Sequence, residues 1–279
     1  MSLLVEDLIK KLVEDLKSKG SIIVTFSGGV DSSVVAALAY KALNERALAV
    51  TVNSPLLPSH DFLDAKKVAE KIGIEHLIVQ SNELDLPGFA DNPPNRCYLC
   101  KKSLFKLLRK MAADKGFQVV ADGTNISDLD GYRPGLLARK EENIYSPLLE
   151  NRLNKEDVRQ IAFSLGLPTV DKPSSPCLAS RFPYGSRISI ERLRRVDAAE
   201  AYIRSKLKVK TVRVRDHEDI ARIEVGRTER HYFFSEEVME DIAQKLKNLG
   251  YKFVTLDLEG YKLGCFDTDK SKQNRFNVT

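Results

Sequence analysis

Two groups of residues in this 279-residue chain have the types and spacing to do chemistry: a glycine-paired loop near the start and three cysteines further along. The loop reads Ser27-Gly28-Gly29-Val30-Asp31-Ser32-Ser33. Gly28 and Gly29 remove the side chains that would keep a phosphate away from the main chain, and Ser27, Ser32 and Ser33 add hydroxyl donors. Asp31 is an odd neighbour for phosphate unless a divalent cation lies between them, so the set implies a nucleotide with Mg²⁺. A Walker lysine is missing, and so is the third glycine of a dinucleotide fingerprint. Cys97 and Cys100 stand three apart where a Pro- and Asn-rich stretch turns into a helix, a place that favours thiolates; the alternative is a pair of structural cysteines. Cys177 sits in a constrained loop, 171–185, rich in Pro, Ser and Gly, with Lys172 and Arg181 close in sequence. That setting marks it as a nucleophile or a metal ligand. Cys265 has no cysteine or histidine near it and reads as structural, with a fourth-ligand role or a zinc site as the competing reading.

The elements that must position these residues follow from periodicity. Residues 22–26 form a continuous apolar run, and Val34, Val35, Leu38 and Ala39 restart at helical spacing, so the loop joins a buried strand to a helix N-terminus. Strands near 47–52, 74–79 and 117–121 alternate with helices, which predicts an α/β, doubly wound, mainly parallel sheet. Ligands bind beyond the carboxyl ends of such strands, which draws Asn53 and the polar segment Asp122-Gly123-Thr124-Asn125 towards the nucleotide. Asn154 and Asp157 predict a capped helix start. From the proline-rich loop we expect a boundary, with one domain over 1–180 and a smaller C-terminal α+β domain over 181–279. In the second domain Glu200 falls on the apolar face of a helix, and Arg213 and Arg215 alternate with Val212 and Val214 on a strand, as Arg222 and Glu224 do with Ile223 and Val225. A buried carboxylate needs a partner, and the next strand offers arginines.

Composition narrows the field. Hydrophobic content of 43% and charged content of 30% are those of a globular protein, and no apolar stretch approaches membrane-spanning length, so we expect a cytoplasmic protein with no membrane partner. Residues 181–230 hold 14 Lys or Arg against 8 Asp or Glu, the rest of the chain 30 against 31. The net charge of +5 therefore belongs to one segment, enough for a phosphorylated small substrate and small for nucleic acid.

The string at 27–33 resembles the pyrophosphate loop of the N-type ATP pyrophosphatases, which cleave ATP between its α and β phosphates. Together with Asp122-Gly123-Thr124-Asn125, Tyr132-Arg133-Pro134-Gly135, Ser175-Pro176-Cys177-Leu178 with Arg181, and Ala221-Arg222-Ile223-Glu224, it is similar along nearly the whole chain to the LarE family of ATP-dependent sulfur transferases. That resemblance implies ATP and Mg²⁺ on residues 27–33, with Asp31 as a metal ligand. It further implies adenylation of a carboxylate of a pyridinium dicarboxylate mononucleotide, and sulfur insertion to give a thiocarboxylate of the nickel-pincer cofactor. Cys177 matches the family's sulfur-handling cysteine, and Arg181, Glu200, Arg213, Arg215 and Glu224 its charged substrate pocket. Family members form homo-oligomers. Cys97 and Cys100 depart from the single-cysteine pattern in which Cys177 would give up its own sulfur. With Cys177 they match a subgroup whose three cysteines hold a [4Fe-4S] cluster able to carry an extra sulfide from a donor. A cluster-dependent tRNA thiolase, an amide-forming pyrophosphatase and a non-catalytic ATP sensor are the competing readings.

Overall fold

In the computed structural model, which describes residues 3–129, 133–262 and 264–266, the chain divides into two compact units. One unit takes Met1–Ser54, Ser59–Ser81 and Asn95–Ser175; the other takes Pro55–Pro58, Asn82–Pro94 and Pro176–Thr279. Segment 130–132, and with it Tyr132, lies outside the described residues.

In the first unit, in chain order, are α1 (Leu3–Lys17), β1 (Ile22–Thr25), α2 (Val30–Leu43), β2 (Ala47–Asn53), α3 (Ser59–Ile72), β3 (Glu75–Gln80), α4 (Arg96–Lys115), β4 (Val119–Ala121), α5 (Gly135–Glu141), α6 (Pro147–Glu150) and α7 (Lys155–Ser164). The four strands are all parallel in the order β3-β2-β1-β4. Both faces are covered, and alternation along β1 shows why Ile22, Ile23 and Val24 are all apolar. Ile22 and Val24 join a core with Leu12 and Leu16 of α1, Val35 and Leu38 of α2 and Ile161 of α7. Ile23 joins a second core with Phe105 and Leu108 of α4. Buried from both sides, these three positions have no room for a polar residue, and Thr25, which ends the strand, is only half-buried.

After β1 the chain steps through β2 to β3 on one side, then returns to place β4 on the other. The strand order therefore reverses at the carboxyl ends of β1 and β4, the position where doubly wound sheets take their ligands. The predicted parallel sheet is the observed one, with strand ends shifted by a residue or two.

The second unit contains α8 (Ile190–Leu207), β5 (Val212–His217), β6 (Ile220–Val225), α9 (Glu236–Asn248) and β7 (Phe253–Leu256). β5 and β6 pair antiparallel and β6 and β7 parallel, giving a mixed three-stranded sheet. Val212, Val214, Ile223 and Val225 share one face and pack with Ala199, Ile203, Ile242 and Leu246 of the two helices. The other face carries Arg213, Arg215, Arg222 and Glu224 in register, Arg213 opposite Glu224 and Arg215 opposite Arg222. Among the described residues no helix is long and apolar enough to cross a membrane.

Candidate functional site

The glycine pair lies where β1 gives way to α2, and its geometry is that of a cradle. Gly28 has φ +67°, and a Cβ there would come within 2.7 Å of the Ala65 Cα on α3. Both facts demand glycine. Gly29 precedes the first turn of α2 with extended backbone and no side-chain cap, so the helix presents its first N–H groups without a competing acceptor from its own cap. Ser27 and Ser32 join by their hydroxyls at 3.1 Å, and the Ser32 Oγ also receives the Ser27 N–H and donates to the Gly29 carbonyl. Ser33 Oγ is fully buried with no hydrogen-bond partner among the described residues, a polar atom that a ligand or its metal would satisfy.

The loop after β4 packs directly on this cradle. A Cβ on Gly123 would meet the Ser32 nitrogen at 2.8 Å, so glycine again permits the approach. Asp122 organises the loop by accepting from Thr124 N at 3.1 Å, Thr124 Oγ1 at 2.6 Å and Ser146 Oγ at 2.5 Å. Asn53 stands at the end of β2, its amide donating to Gln80 Oε1 at 3.1 Å. Arg133, of the second family-like segment, has Asp128 at 3.7 Å.

Asp31 has a partner that its sequence neighbourhood does not reveal. Its carboxylate accepts from Asn125 Nδ2 at 3.0 Å and forms an ion pair with Lys155 Nζ, 124 residues along the chain. Lys155 is the first residue of α7, whose start is held by a capping box: Asn154 Oδ1 accepts from Glu156 N at 2.8 Å and Asp157 N at 3.1 Å, while Asp157 Oδ2 accepts from Asn154 N at 2.9 Å. A lysine at a helix N-terminus sits against the helix dipole, and that unfavourable placement is the one sequence signal that marks it.

Cys97 and Cys100 occupy the first turn of α4, Cys97 exposed and Cys100 half-buried. Tyr98 between them donates to Glu141 Oε2 at 2.8 Å and accepts from Lys102 Nζ at 2.6 Å, which pins this turn to α5. At the other end of the same unit, Lys172 reaches Asp61 at 3.0 Å and Asp64 at 2.9 Å, and Ser175 donates to Asp61. These contacts anchor the segment that leads to the third cysteine.

Cys177 belongs to the second unit, exposed at the head of a short 3₁₀ turn, Leu178–Arg181, whose Leu178 and Ala179 are buried. Arg181 is completely buried and uses its guanidinium in every direction. Nε and Nη2 donate to Glu200 at 2.7 and 2.9 Å, and Nη1 donates to the carbonyls of Pro176 and Cys177 at 2.7 and 3.1 Å and to Ser180 Oγ at 2.8 Å. Arg215 adds a second hold: Nη1 donates to the Ser180 carbonyl at 2.8 Å, while Nε and Nη2 hold Glu224 at 2.9 and 2.7 Å. The turn that exposes the thiol is thus fixed by two buried arginine–glutamate pairs.

Electrostatics fits this arrangement. Burial opposes the charge on Glu200, but Arg181 and the Val214 N–H, at 2.9 Å, keep its carboxyl below the usual range. Arg213 differs: burial, and then the neighbouring charge of Arg181, bring it down to about 10. Its Nη1 donates to the Val212 carbonyl and its guanidinium lies 5.3 Å from the Tyr261 ring centre. Cys265 lies half-buried beside Arg215 and Arg222, with burial pushing its thiol up. Arg181, Glu200, Arg213, Arg215 and Glu224 thus share one unit with Cys177, whose turn Arg181 and Arg215 hold, and the phosphate loop, Gly123, Cys97 and Cys100 lie in the other. Among the described residues no three His, Cys, Asp or Glu side chains gather into a metal-binding group.

A reversing parallel sheet, a glycine cradle at the bare start of α2 and a second loop packed on it at the switch point define an ATP pyrophosphatase of the phosphate-loop class. Comparison with known proteins agrees: residues 3–87 match the NAD synthase family model. An uncharacterised protein of Synechocystis is 46% identical over 87% of this chain and 90% of its own. The pyridinium-3,5-bisthiocarboxylic acid mononucleotide synthase of Lactiplantibacillus plantarum is 39% identical over 94% of both chains. The tRNA-specific 2-thiouridylase of Azorhizobium caulinodans is 30% identical over 64% of this chain and 55% of its own. The chain belongs to the LarE family, enzymes that use ATP to transfer sulfur.

Proposed function

We propose that this enzyme activates a carboxylate of a pyridinium dicarboxylate mononucleotide and converts it to a thiocarboxylate. The observation that carries the reading is the match to the Lactiplantibacillus synthase over 94% of both chains, which spans the phosphate loop and the exposed Cys177 turn alike. A carboxylate is a poor electrophile, and adenylation divides its conversion into two easier steps. The substrate carboxylate attacks the α phosphate, pyrophosphate leaves, and sulfur then displaces AMP. The cradle at Gly28 and Gly29, the bare start of α2 and the orphan Ser33 hydroxyl suit the pyrophosphate portion of ATP, and Asp31 suits the Mg²⁺ that offsets its charge. Arg213, penalised as a cation by burial and by Arg181, gains most from a phosphate counter-charge and is our choice for the substrate phosphate.

For the sulfur source, Cys97, Cys100 and Cys177 have the donor chemistry of an iron–sulfur site, so a [4Fe-4S] cluster is part of the proposal, although the described residues contain no assembled metal group. The competing source is the Cys177 sulfur itself. A homo-oligomeric state, a sulfide donor and a cytoplasmic setting go with the family reading. The test is anaerobic incubation with ATP, Mg²⁺ and the pyridinium dicarboxylate mononucleotide, followed by mass spectrometry of small molecule and protein. AMP release that requires the pyridinium substrate, with a thiocarboxylate product, is expected; AMP formation indifferent to that substrate would end the proposal. About four irons per chain with unmodified Cys177 support the cluster, and dehydroalanine at Cys177 without iron supports sacrifice of the side chain.

A further inference from the structure

His76 stands at the head of a hydrogen-bond chain that ends inside the phosphate loop. It lies half-buried on β3, with its Nε2 2.8 Å from Thr51 Oγ1 on β2. Thr51 is buried, and its single hydroxyl proton goes to the Phe26 carbonyl at 2.7 Å. Towards His76 the threonine oxygen can therefore only accept, so the imidazole carries a proton on Nε2 and donates it. Burial, and then the charge of Lys66 on α3, hold the imidazole pKa below its ordinary value, which keeps the ring neutral. The Phe26 ring packs edge-on against the imidazole, with ring centres 5.5 Å apart.

Phe26 is the last residue before the loop. The paired register of β1 and β2 ends at Thr25 opposite Val50, and beyond it the Phe26 N–H donates to the Val50 carbonyl at 2.8 Å. The peptide that joins Phe26 to Ser27 is held at both ends, its carbonyl by Thr51 and its N–H by Ser32 Oγ at 3.3 Å. Ser32 Oγ in turn donates to the Gly29 carbonyl at 3.2 Å. Every donor in this chain points the same way, from imidazole through hydroxyl, peptide and second hydroxyl to the Gly29 carbonyl, so each bond polarises the next. A peptide unit is planar, and fixing both its ends fixes the direction in which the chain enters Gly28 and Gly29.

We propose that His76 is a positioning residue of the nucleotide site: acting through Thr51, it sets the orientation of the Phe26–Ser27 peptide and with it the aim of the loop N–H groups at phosphate. This rests on the reading of residues 27–33 as an ATP site. A role in stability alone accounts poorly for the pair. The residues that precede Thr51 on β2, Ala47 to Val50, are apolar and buried, and an apolar side chain at 51 would continue that pattern with no polar group to satisfy. Instead a hydroxyl is buried where it meets the peptide that opens the loop, and a histidine is placed to hold that hydroxyl in one orientation.

The experiment is calorimetric titration of the full chain with inorganic pyrophosphate and Mg²⁺, beside thermal unfolding of each ligand-free variant. Thr51→Val keeps the shape and removes the hydroxyl, and should weaken pyrophosphate about five- to thirty-fold. His76→Phe keeps a ring and removes the donor, and should weaken it about three- to ten-fold. His76→Gln, whose amide nitrogen can take the place of Nε2, should recover most of that loss. In the Thr51→Val background His76→Phe should cost nothing further, because the chain is already cut. In ¹⁵N-histidine spectra of wild type, a protected Nε2–H signal that is absent from His76→Gln should shift when pyrophosphate is added. Equal pyrophosphate affinity in wild type, Thr51→Val and His76→Phe would overturn the proposal even if both variants melt earlier, since a merely structural pair lowers stability and leaves the affinity of the folded chain alone. An Nε2–H signal indifferent to pyrophosphate would overturn it without any variant. A wild type that binds no pyrophosphate would instead refute the ATP site itself, and the proposal with it.

Discussion

The phosphate loop and the Cys177 turn solve opposite problems with opposite materials. At the loop, geometry is carried by backbone: Gly28 at positive φ against Ala65, Gly123 against Ser32, and a helix start with no cap of its own. Among the described residues its Ser33 hydroxyl is buried without a partner, which suits the ligand proposed for it. At the turn, geometry is carried by side chains: the donors of Arg181 are all engaged, and Arg215 divides its own between Glu224 and the Ser180 carbonyl. A site that must receive a polyanion keeps its donors open, whereas a site that must present one thiol in one place saturates them. Binding calls for unsatisfied groups in a stiff frame, and positioning calls for satisfied ones.

Several substitutions press on that contrast. The largest effect belongs to Cys177→Ala, which should abolish thiocarboxylate formation and the AMP release that goes with it while pyrophosphate release from adenylation persists, as measured by product analysis against pyrophosphate release; loss of pyrophosphate release as well would show that the turn also serves adenylation. Arg181→Ala comes next, because it strands Glu200 as a buried charge and frees the carbonyls of Pro176 and Cys177. We expect a loss of about 3–5 kcal/mol in denaturant unfolding. Replacing Arg181 and Glu200 together by Met and Leu should recover most of that stability yet leave sulfur transfer impaired. Full activity in the double variant would mean that the ion pair does not position Cys177.

Gly28→Ala should cost about 1–3 kcal/mol from its positive φ, with a further contribution from Ala65, and weaken ATP binding. Gly29→Ala, where φ is −83° and the nearest atom to a Cβ is Ser27 Oγ at 3.4 Å, should fold normally and lose ATP affinity alone, by titration with ATP. Unchanged affinity in Gly29→Ala would show that phosphate does not lie against the main chain there. The smallest effect concerns acid. Glu200 has a folded pKa below its ordinary 4.5, so its stabilisation is complete above that value and is lost as pH falls from there through the folded pKa. Glu200→Gln should flatten this limb of the stability profile between wild type and variant, and an unaltered limb would assign the acid sensitivity elsewhere.

Much of this was legible beforehand because it is local. The apolar run at 22–26 and its glycines predict a strand, a turn and a helix, and the observed β1, cradle and α2 follow. The alternation of Arg213 and Arg215 with Val212 and Val214 predicts a two-faced strand, and Asn154 with Asp157 predicts the capping box that forms. What escaped was pairing across distance. The next strand supplies Glu200 with the expected charge of Arg213 and with the Val214 N–H, but its carboxylate is gripped by Arg181, from the turn after Cys177. The carboxylate of Asp216, buried under Arg192, Arg195 and Tyr251, carried no signal at all, since its partners lie 21 to 35 residues away with no periodic relation.

The sequence by itself determined the elements and the residue types at their ends, because side-chain periodicity, glycine conformation and helix capping act within a few positions of one another. Only the tertiary structure decided which charge meets which: Lys155 on Asp31, Arg181 on Glu200, Arg215 on Glu224 and on the Cys177 turn. The reason is that an ion pair depends on the distance between two side chains in space. That distance is set by how strands order and helices dock, and many sequences of charges are compatible with the same local pattern.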